Sequence, residues 1–164
     1  MRILGLDPGT ATTGFGVIDY IDHEYYLVDY GCIKTAPDLS LSQRLKQIGN
    51  DLSTIIKTWK PLAVAVEELF FSKNVKTAIH VAHARGTILY QLSQKGFEPA
   101  EYTPQQVKEA VCGYGRAEKK QVQKMMQMIL NMDQMPSSDD AADALAIAVC
   151  HANNLKTQNL YAAS

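Results

Sequence analysis

The stretch Arg2–Ile18, RILGLDPGTATTGFGVI, decides the reading of this chain. Arg2 to Leu6 is a run of strand formers that stops at DPGTAT, and Thr13 to Asp19 resumes the strand pattern. A third run, Tyr25 to Thr35, follows the polar YIDHE, so three consecutive antiparallel strands are predicted. Asp7 stands where the first of them ends. Asp is disfavoured in strands and costly to bury, so it is either a turn residue ahead of Pro8-Gly9 or a group aimed into a cleft. The residues alone leave both readings open.

Beyond the strands, Leu41, Leu45, Ile48, Leu52, Ile55, Ile56 and Trp59 recur at helical spacing until Pro61 ends the segment. Leu62 to Val66 is then a short strand, apolar on both faces as in a covered sheet, and it delivers Glu67 at its C-terminal end. Val75 to Gln94 predicts a long helix with Val75, Ile79, Ala82 and Leu89 on one side and Gly96 past its end. Phe97 to Tyr102 predicts a fifth strand. Thr103-Pro104-Gln105-Gln106 combines a capping residue, Pro at the first helical position and a capping-box Gln, so a helix starts at Pro104. The CGYG run at Cys112 to Gly115 breaks it. Val122, Met125, Met126 and Ile129 mark the next helix, and Ala141 to His151 the last. This order predicts an α/β domain in which helices flank a mixed five-stranded sheet.

At 164 residues and 46% hydrophobic, the chain supports one sizeable core, and we expect a single domain over 1–164. No long apolar run or signal-peptide pattern stands out, so a cytoplasmic location is expected. Cys32, Cys112 and Cys150 are odd in number and lack CxxC spacing, which argues for free thiols rather than a zinc site or disulfide framework. A formal net charge of −1 does not mark a nucleic-acid binder as a whole. Positive charge is local: Arg116, Lys119, Lys120 and Lys124 stand against the single acid Glu118. Such a segment is a solvated helix face or a phosphate contact.

The carboxylates carry the chemistry. Glu67 and Glu68 follow a strand whose end is where α/β sheets gather ligands, and adjacent residues point to opposite sides, so only one can share a cleft with Asp7. In SSDDAADALAIAV, Asp140 and Asp143 lie on one helix face, and Asp139 and Asp143 are neighbours as well. Spacing does not choose between Asp139 and Asp140, and Asp139 is read as an anion decorating a helix N-terminus. Asp143 sits among Ala142, Ala144, Leu145, Ala146 and Ile147, where a charge needs a partner. Converging carboxylates repel by roughly 4 kcal/mol per pair at 4 Å and an effective dielectric near 20. Cations relieve that. Oxygen-only donors favour Mg²⁺ or Mn²⁺, and a pair of such ions suits phosphodiester hydrolysis. His80, His83 and His151 lack ligand spacing and are read as structural, and Met125, Met126 and Met128 as core packing.

Four separated motifs, ILGLDPGTATTGFGVI, VEELFFSKN with AHARG, QVKEAVCGYGRAEKKQVQ and DDAADALAIAVCH, together resemble the RuvC family of Holliday junction resolvases. The resemblance runs collinearly from Arg2 to His151 and implies an RNase H-like fold. It implies Asp7, Glu67, Asp140 and Asp143 as the catalytic, metal-binding acids, thereby favouring Glu67 over Glu68 and Asp140 over Asp139. It implies phosphate contacts from Lys108 and Lys119 and base stacking or wedging by Phe70, with Arg116 and Lys120 as further DNA-binding candidates. A homodimer making paired symmetric nicks in a four-way junction is expected, with 5′-phosphate and 3′-hydroxyl products. The helix Val75 to Gln94, around Ile79, Gly86, Ile88 and Leu89, is the candidate dimer face. A branch-migration helicase complex, RuvAB, is a partner implied by the family alone.

Two rival readings share the opening motif. An actin-like nucleotide-binding protein also places Asp and Gly-Thr after a strand, but uses a duplicated domain of more than about 300 residues. A YqgF-like RNA-processing nuclease should lack the combination of VEELFFSKN with DDAADALAIA.

Overall fold

A computed structural model describes residues 1–69 and 75–162. β1 (Arg2–Asp7), β2 (Thr12–Ile21) and β3 (Glu24–Lys34) are followed by α1 (Leu41–Trp59), β4 (Ala63–Glu67), α2 (Val75–Gln94) and β5 (Ala100–Tyr102). Three helices complete the order: α3 (Pro104–Cys112), α4 (Lys119–Ile129) and α5 (Asp139–Ala162). The sheet runs β3-β2-β1-β4-β5, antiparallel across the first two pairings and parallel from β1 to β4 and β4 to β5. The expected mixed five-stranded sheet flanked by helices is what forms.

Strand alternation explains the two cores. Leu4, Leu6, Val17, Val64 and Val66 point to one face and pack with Ile48, Leu52 and Ile56 of α1 and Ala84, Ile88 and Leu92 of α2. Ile3, Ile18 and Ala65 point to the other and meet Leu145 to Ala148 of α5, Val107 and Val111 of α3, and Val122 and Met126 of α4. β1 is the middle strand, buried on both sides between its ends. Caps set the helix starts: Ser40 with Gln43 and Thr103 with Gln106 form reciprocal capping boxes, the second as its sequence predicts.

The structure corrects four expectations. Phe97 does not begin a strand: its N–H donates to the Leu92 carbonyl at 3.0 Å, closing α2 through Gly96 at φ 79°, and β5 shrinks to Ala100–Tyr102. The last helix starts at Asp139 and continues well past His151, because neither Pro nor Gly occurs between there and its end at Ala162. On α2, Ile88 faces the protein's own core together with Ala84 and Leu92, so it cannot belong to a dimer face. The exposed side carries Ile79, Gly86 and Tyr90 instead. Of the three methionines read as core, Met126 is buried and Met125 packs against the same core, but Met128 is 64% exposed. His151, as read, is structural: it is buried and shares a 2.8 Å hydrogen bond with the Tyr102 hydroxyl. The three cysteines are free.

Candidate active site

Asp7 and Glu67 are the last residues of two adjacent parallel strands, and the Leu6–Val66 pairing sets them side by side. Asp7 shares its face with Ile3 and Gly5, the side on which α5 packs. The turn after Asp7 is held by another residue: the buried Thr13 hydroxyl donates to the Gly9 carbonyl at 2.7 Å. Thr35 steadies the same loop by donating its hydroxyl to the Thr10 carbonyl at 2.6 Å. The Asp7 carboxyl instead lies within the field of Glu67, Asp143 and Asp140. On the other side of β4, Glu68 is exposed, its N–H donating to the Tyr102 carbonyl at 2.8 Å, as expected for the acid turned away.

Glycine lets α5 settle directly on this end of the sheet. Gly5 and Gly16 are cross-strand partners, and Gly14 is opposite Asp7. A Cβ on Gly14 would fall on the Asp140 carbonyl oxygen, one on Gly5 on the Ala144 carbonyl oxygen, and one on Gly16 would lie 2.7 Å from the Leu145 nitrogen. Small residues of α5, among them Ala141, Ala144 and Ala148, are fully buried in turn. The backbone of α5 therefore rests on the backbone of β1 and β2, and its first turns bring Asp140 and Asp143 beside the strand-end acids.

The electrostatics register that convergence. Burial, then Glu67, Asp143 and Asp140, hold the Asp7 carboxyl well above the ordinary carboxylate range. Glu67 is pushed up to about 7, chiefly by burial and then by Asp143, against a hydrogen bond from Asp7 and the nearby Lys108 and Lys119. Asp143 is raised by burial, with Lys119 opposing and Asp139 and Asp140 adding to the rise. Lys119 keeps its proton more firmly than usual: burial acts against it, but Asp143, Asp139 and Asp140 outweigh that. A cleft of about 210 Å³ opens here, lined by Glu67, Pro104, Val107, Lys108, Lys119, Val122 and Asp143. Two cations thus stand over an acidic floor.

Asp7, Glu67, Asp140 and Asp143 are brought together, with Lys108 and Lys119 beside them. Arg116 and Lys120 are exposed, and neither lines the cleft. Phe70 lies outside the described residues. Among the described residues, no three His, Cys, Asp or Glu side chains are already closed around a position an ion could take. The donor set nonetheless fits a hard cation: several carboxylates, buried and mutually repelling, with no sulfur or imidazole among them. His80 and His83 are exposed on α2, and neither lines the cleft.

Sequence reading missed two features. Arg85 donates to the Glu67 carbonyl at 3.3 Å and pairs with Glu101, tying α2 to the ends of β4 and β5. The sequence signal was the Arg of AHARG, quoted above only as part of a motif. The second is the glycine set, legible in principle because Gly14 and Gly16 share a strand face with Gly5 in the partner strand.

The raised carboxyls have a measurable consequence for stability. Each of these acids binds its proton more tightly folded than unfolded; for Glu67 the contribution is fully present below the unfolded value of about 4.5 and is lost as pH rises through about 7. For Glu67 that difference is about 3 kcal/mol. Without divalent metal, the thermal midpoint of the wild type relative to Glu67→Gln should fall between pH 5 and pH 8. Adding Mg²⁺ at pH 8 should recover it. A difference that is flat with pH would contradict the buried placement of Glu67.

Comparison with known proteins gives a consistent result. The family model described as crossover junction endodeoxyribonuclease RuvC matches residues 3–151. The chain is 53% identical over 152 residues to the crossover junction endodeoxyribonuclease RuvC of Desulforamulus reducens, covering 93% of each sequence. It is 50% identical over 161 residues to that of Alkaliphilus metalliredigens, covering 98% of each. The structure of Thermus thermophilus RuvC in complex with Holliday junction substrate matches with a TM-score of 0.89 at 33% identity, over 96% of both chains.

Proposed function

The chain belongs to the RuvC family of crossover junction endodeoxyribonucleases, and from that membership we propose that Asp7, Glu67, Asp140 and Asp143 are its catalytic, metal-binding acids. Its activity is that of a Holliday junction resolvase, a hydrolase cutting phosphodiesters in four-way DNA junctions during recombination and repair. The family's nucleases depend on divalent metal. The observation that carries the assignment is the convergence, from β1, β4 and α5, of buried carboxyls whose proton affinities are raised by burial and by one another.

The acids fit Mg²⁺ or Mn²⁺, two per site. When bound, such ions supply the charge that acidifies a water molecule and stabilises the leaving oxygen. The chain's own residues do the rest. The four carboxylates fix the oxygen cage, and α5, seated on its glycines, keeps two of them in register with the strand ends. Lys108 and Lys119 meet the non-bridging oxygens of the phosphate entering the cleft. Phe70, Arg116 and Lys120 bind the flanking DNA, Phe70 by stacking on or wedging between bases at the junction. Hydrolysis leaves 5′-phosphate and 3′-hydroxyl ends.

One catalytic domain supplies one carboxylate set, so two symmetric cuts call for a homodimer. The exposed side of α2, with Ile79 and Tyr90 at 49% and 62% exposure, is the face we assign to it. A cytoplasmic location and work alongside the RuvAB branch-migration helicase complete the proposal. Among the described residues no helix is long and apolar enough to cross a membrane.

The test presents the purified protein and Mg²⁺ with a mobile four-way junction, a linear duplex and a structured RNA. Paired nicks placed symmetrically across the junction, with the other two substrates intact, are expected. Preferential RNA cleavage would favour the YqgF-like reading, and single unpaired nicks would remove the dimer.

A further inference from the structure

We infer that Asp139, outside the catalytic set, is a positioning residue that holds the Lys119 ammonium over the carboxylate cleft, ready for the phosphate to be cut. The inference deepens the catalytic reading above and rests on it. Asp139 is the first residue of α5, immediately before Asp140, and Lys119 is the first residue of α4. The Lys119 ammonium lies 3.4 Å from one Asp139 carboxylate oxygen, and Gln123 donates its side-chain amide to the other at 2.7 Å. Lys119 and Gln123 are four apart, one turn along the same face of α4. The carboxylate is therefore gripped at both oxygens by one helix while its own backbone belongs to the helix that carries Asp140 and Asp143.

That geometry addresses a specific difficulty. A lysine side chain has four rotatable bonds and about 2 kcal/mol of rotamer entropy, and that of Lys119 is 64% exposed, so nothing in its packing fixes it. Yet it lines the same cleft as Glu67 and Asp143. Asp139, 48% exposed at the rim and fixed by Gln123, confines the ammonium to the cleft side. A solvated acid at a helix N-terminus would favour the start of α5 without engaging two residues of α4. Asp139 also adds negative charge where DNA must approach, a cost to binding that a merely decorative acid would impose with no return.

The two roles separate in kinetics. Junction affinity, measured with Ca²⁺ in place of Mg²⁺, and single-turnover cutting at saturating protein are compared for the wild type, Asp139→Ala, Asp139→Asn and Lys119→Met, and for Asp139→Asn combined with Lys119→Met. Asp139→Asn keeps the shape and the Gln123 partner, so it remains informative if Asp139→Ala folds poorly. Both Asp139 variants should cut roughly tenfold more slowly at saturation, a loss in keeping with misplacing one group at a reacting centre. Affinity should be unchanged or tighter. In the Lys119→Met background, Asp139→Asn should slow cutting no further. An unchanged saturated rate in Asp139→Asn, or an equal slowing with and without Lys119, overturns the inference. Wild-type cutting by Lys119→Met would overturn the role of Lys119 itself, a failure seen without any Asp139 variant.

Discussion

Asp7→Asn should abolish junction cutting while leaving junction binding at full strength or stronger. The substitution keeps the size and planarity of the side chain and removes one charge from the most confined of the four acids, whose proton affinity is raised by burial, Glu67, Asp143 and Asp140 in turn. An amide offers one neutral oxygen where a cation needs a carboxylate, so single-turnover cutting in Mg²⁺ should fall by at least ~10³-fold, or about 4 kcal/mol of barrier. Phosphate binding responds in the opposite sense, because less negative charge faces the backbone of the DNA. The same variant should be more stable than the wild type at pH 8 without metal, since the carboxyl it loses is disfavoured as an anion in that environment. Cutting by Asp7→Asn at a rate near wild type would place the active site elsewhere.

Gly14→Ala should produce a folded protein with a displaced, nearly inactive site. The added Cβ meets the Asp140 carbonyl oxygen and carbon, which are backbone and cannot rotate aside. Relief must come from lifting the start of α5 off β2. Overpacking of this kind costs about 1–3 kcal/mol of stability. The larger effect is on chemistry: a shift of about 1 Å at Asp140 and Asp143 relative to Asp7 and Glu67 is worth roughly 10²-fold in rate. Leu52→Ala separates the two effects. Leu52 is buried against the opposite face of the sheet, so its truncation should cost about 2–5 kcal/mol and leave the carboxylates in register. Below its unfolding temperature that variant should cut normally, whereas Gly14→Ala should not. Equal losses of activity in the two would show that stability, rather than the seating of α5, limits the rate.

Much of this was legible in the residues because each signal was local. Short runs of strand formers, ILGL and VAV, announce strands, and Thr103 to Gln106 announces a helix start through its cap; both form as read. What could not be read depends on which faces meet. Glu67 and Glu68 are equivalent in sequence, and only the pairing of β4 with β1, under α5, turns the first into the cleft. Asp139 and Asp140 differ by about 100° of helix rotation: the charge of Asp140 bears on Asp7, whereas Asp139 turns to Lys119 and Gln123. Helical periodicity drew Ile88 onto an imagined surface, because period alone does not say which stripe the sheet covers. Phe97 looked like a strand residue because it is apolar and precedes one. The Leu92 carbonyl, which ends α2, claims its N–H instead. The bond between Asp139 and Lys119 joins two helices and had no sequence signature at all.

The seating of α5 also bears on how the protein is made. Three of the acids' supports, β1, β2 and β4, are complete in the first 67 residues, but the helix carrying the other two acids is the last element in chain order. Until it emerges from the ribosome, Ile3, Ile18 and Ala65 form an uncovered apolar face, and Asp7 and Glu67 sit at a solvated strand edge with no partners across the cleft. Domains are synthesised N-terminus first, and contacts of long sequence separation close late. If the four acids act as proposed, a nascent chain lacks two of them until α5 docks. By that reading the order of synthesis withholds activity until the last of the four acids is in place, while the sheet face that α5 covers stays bare.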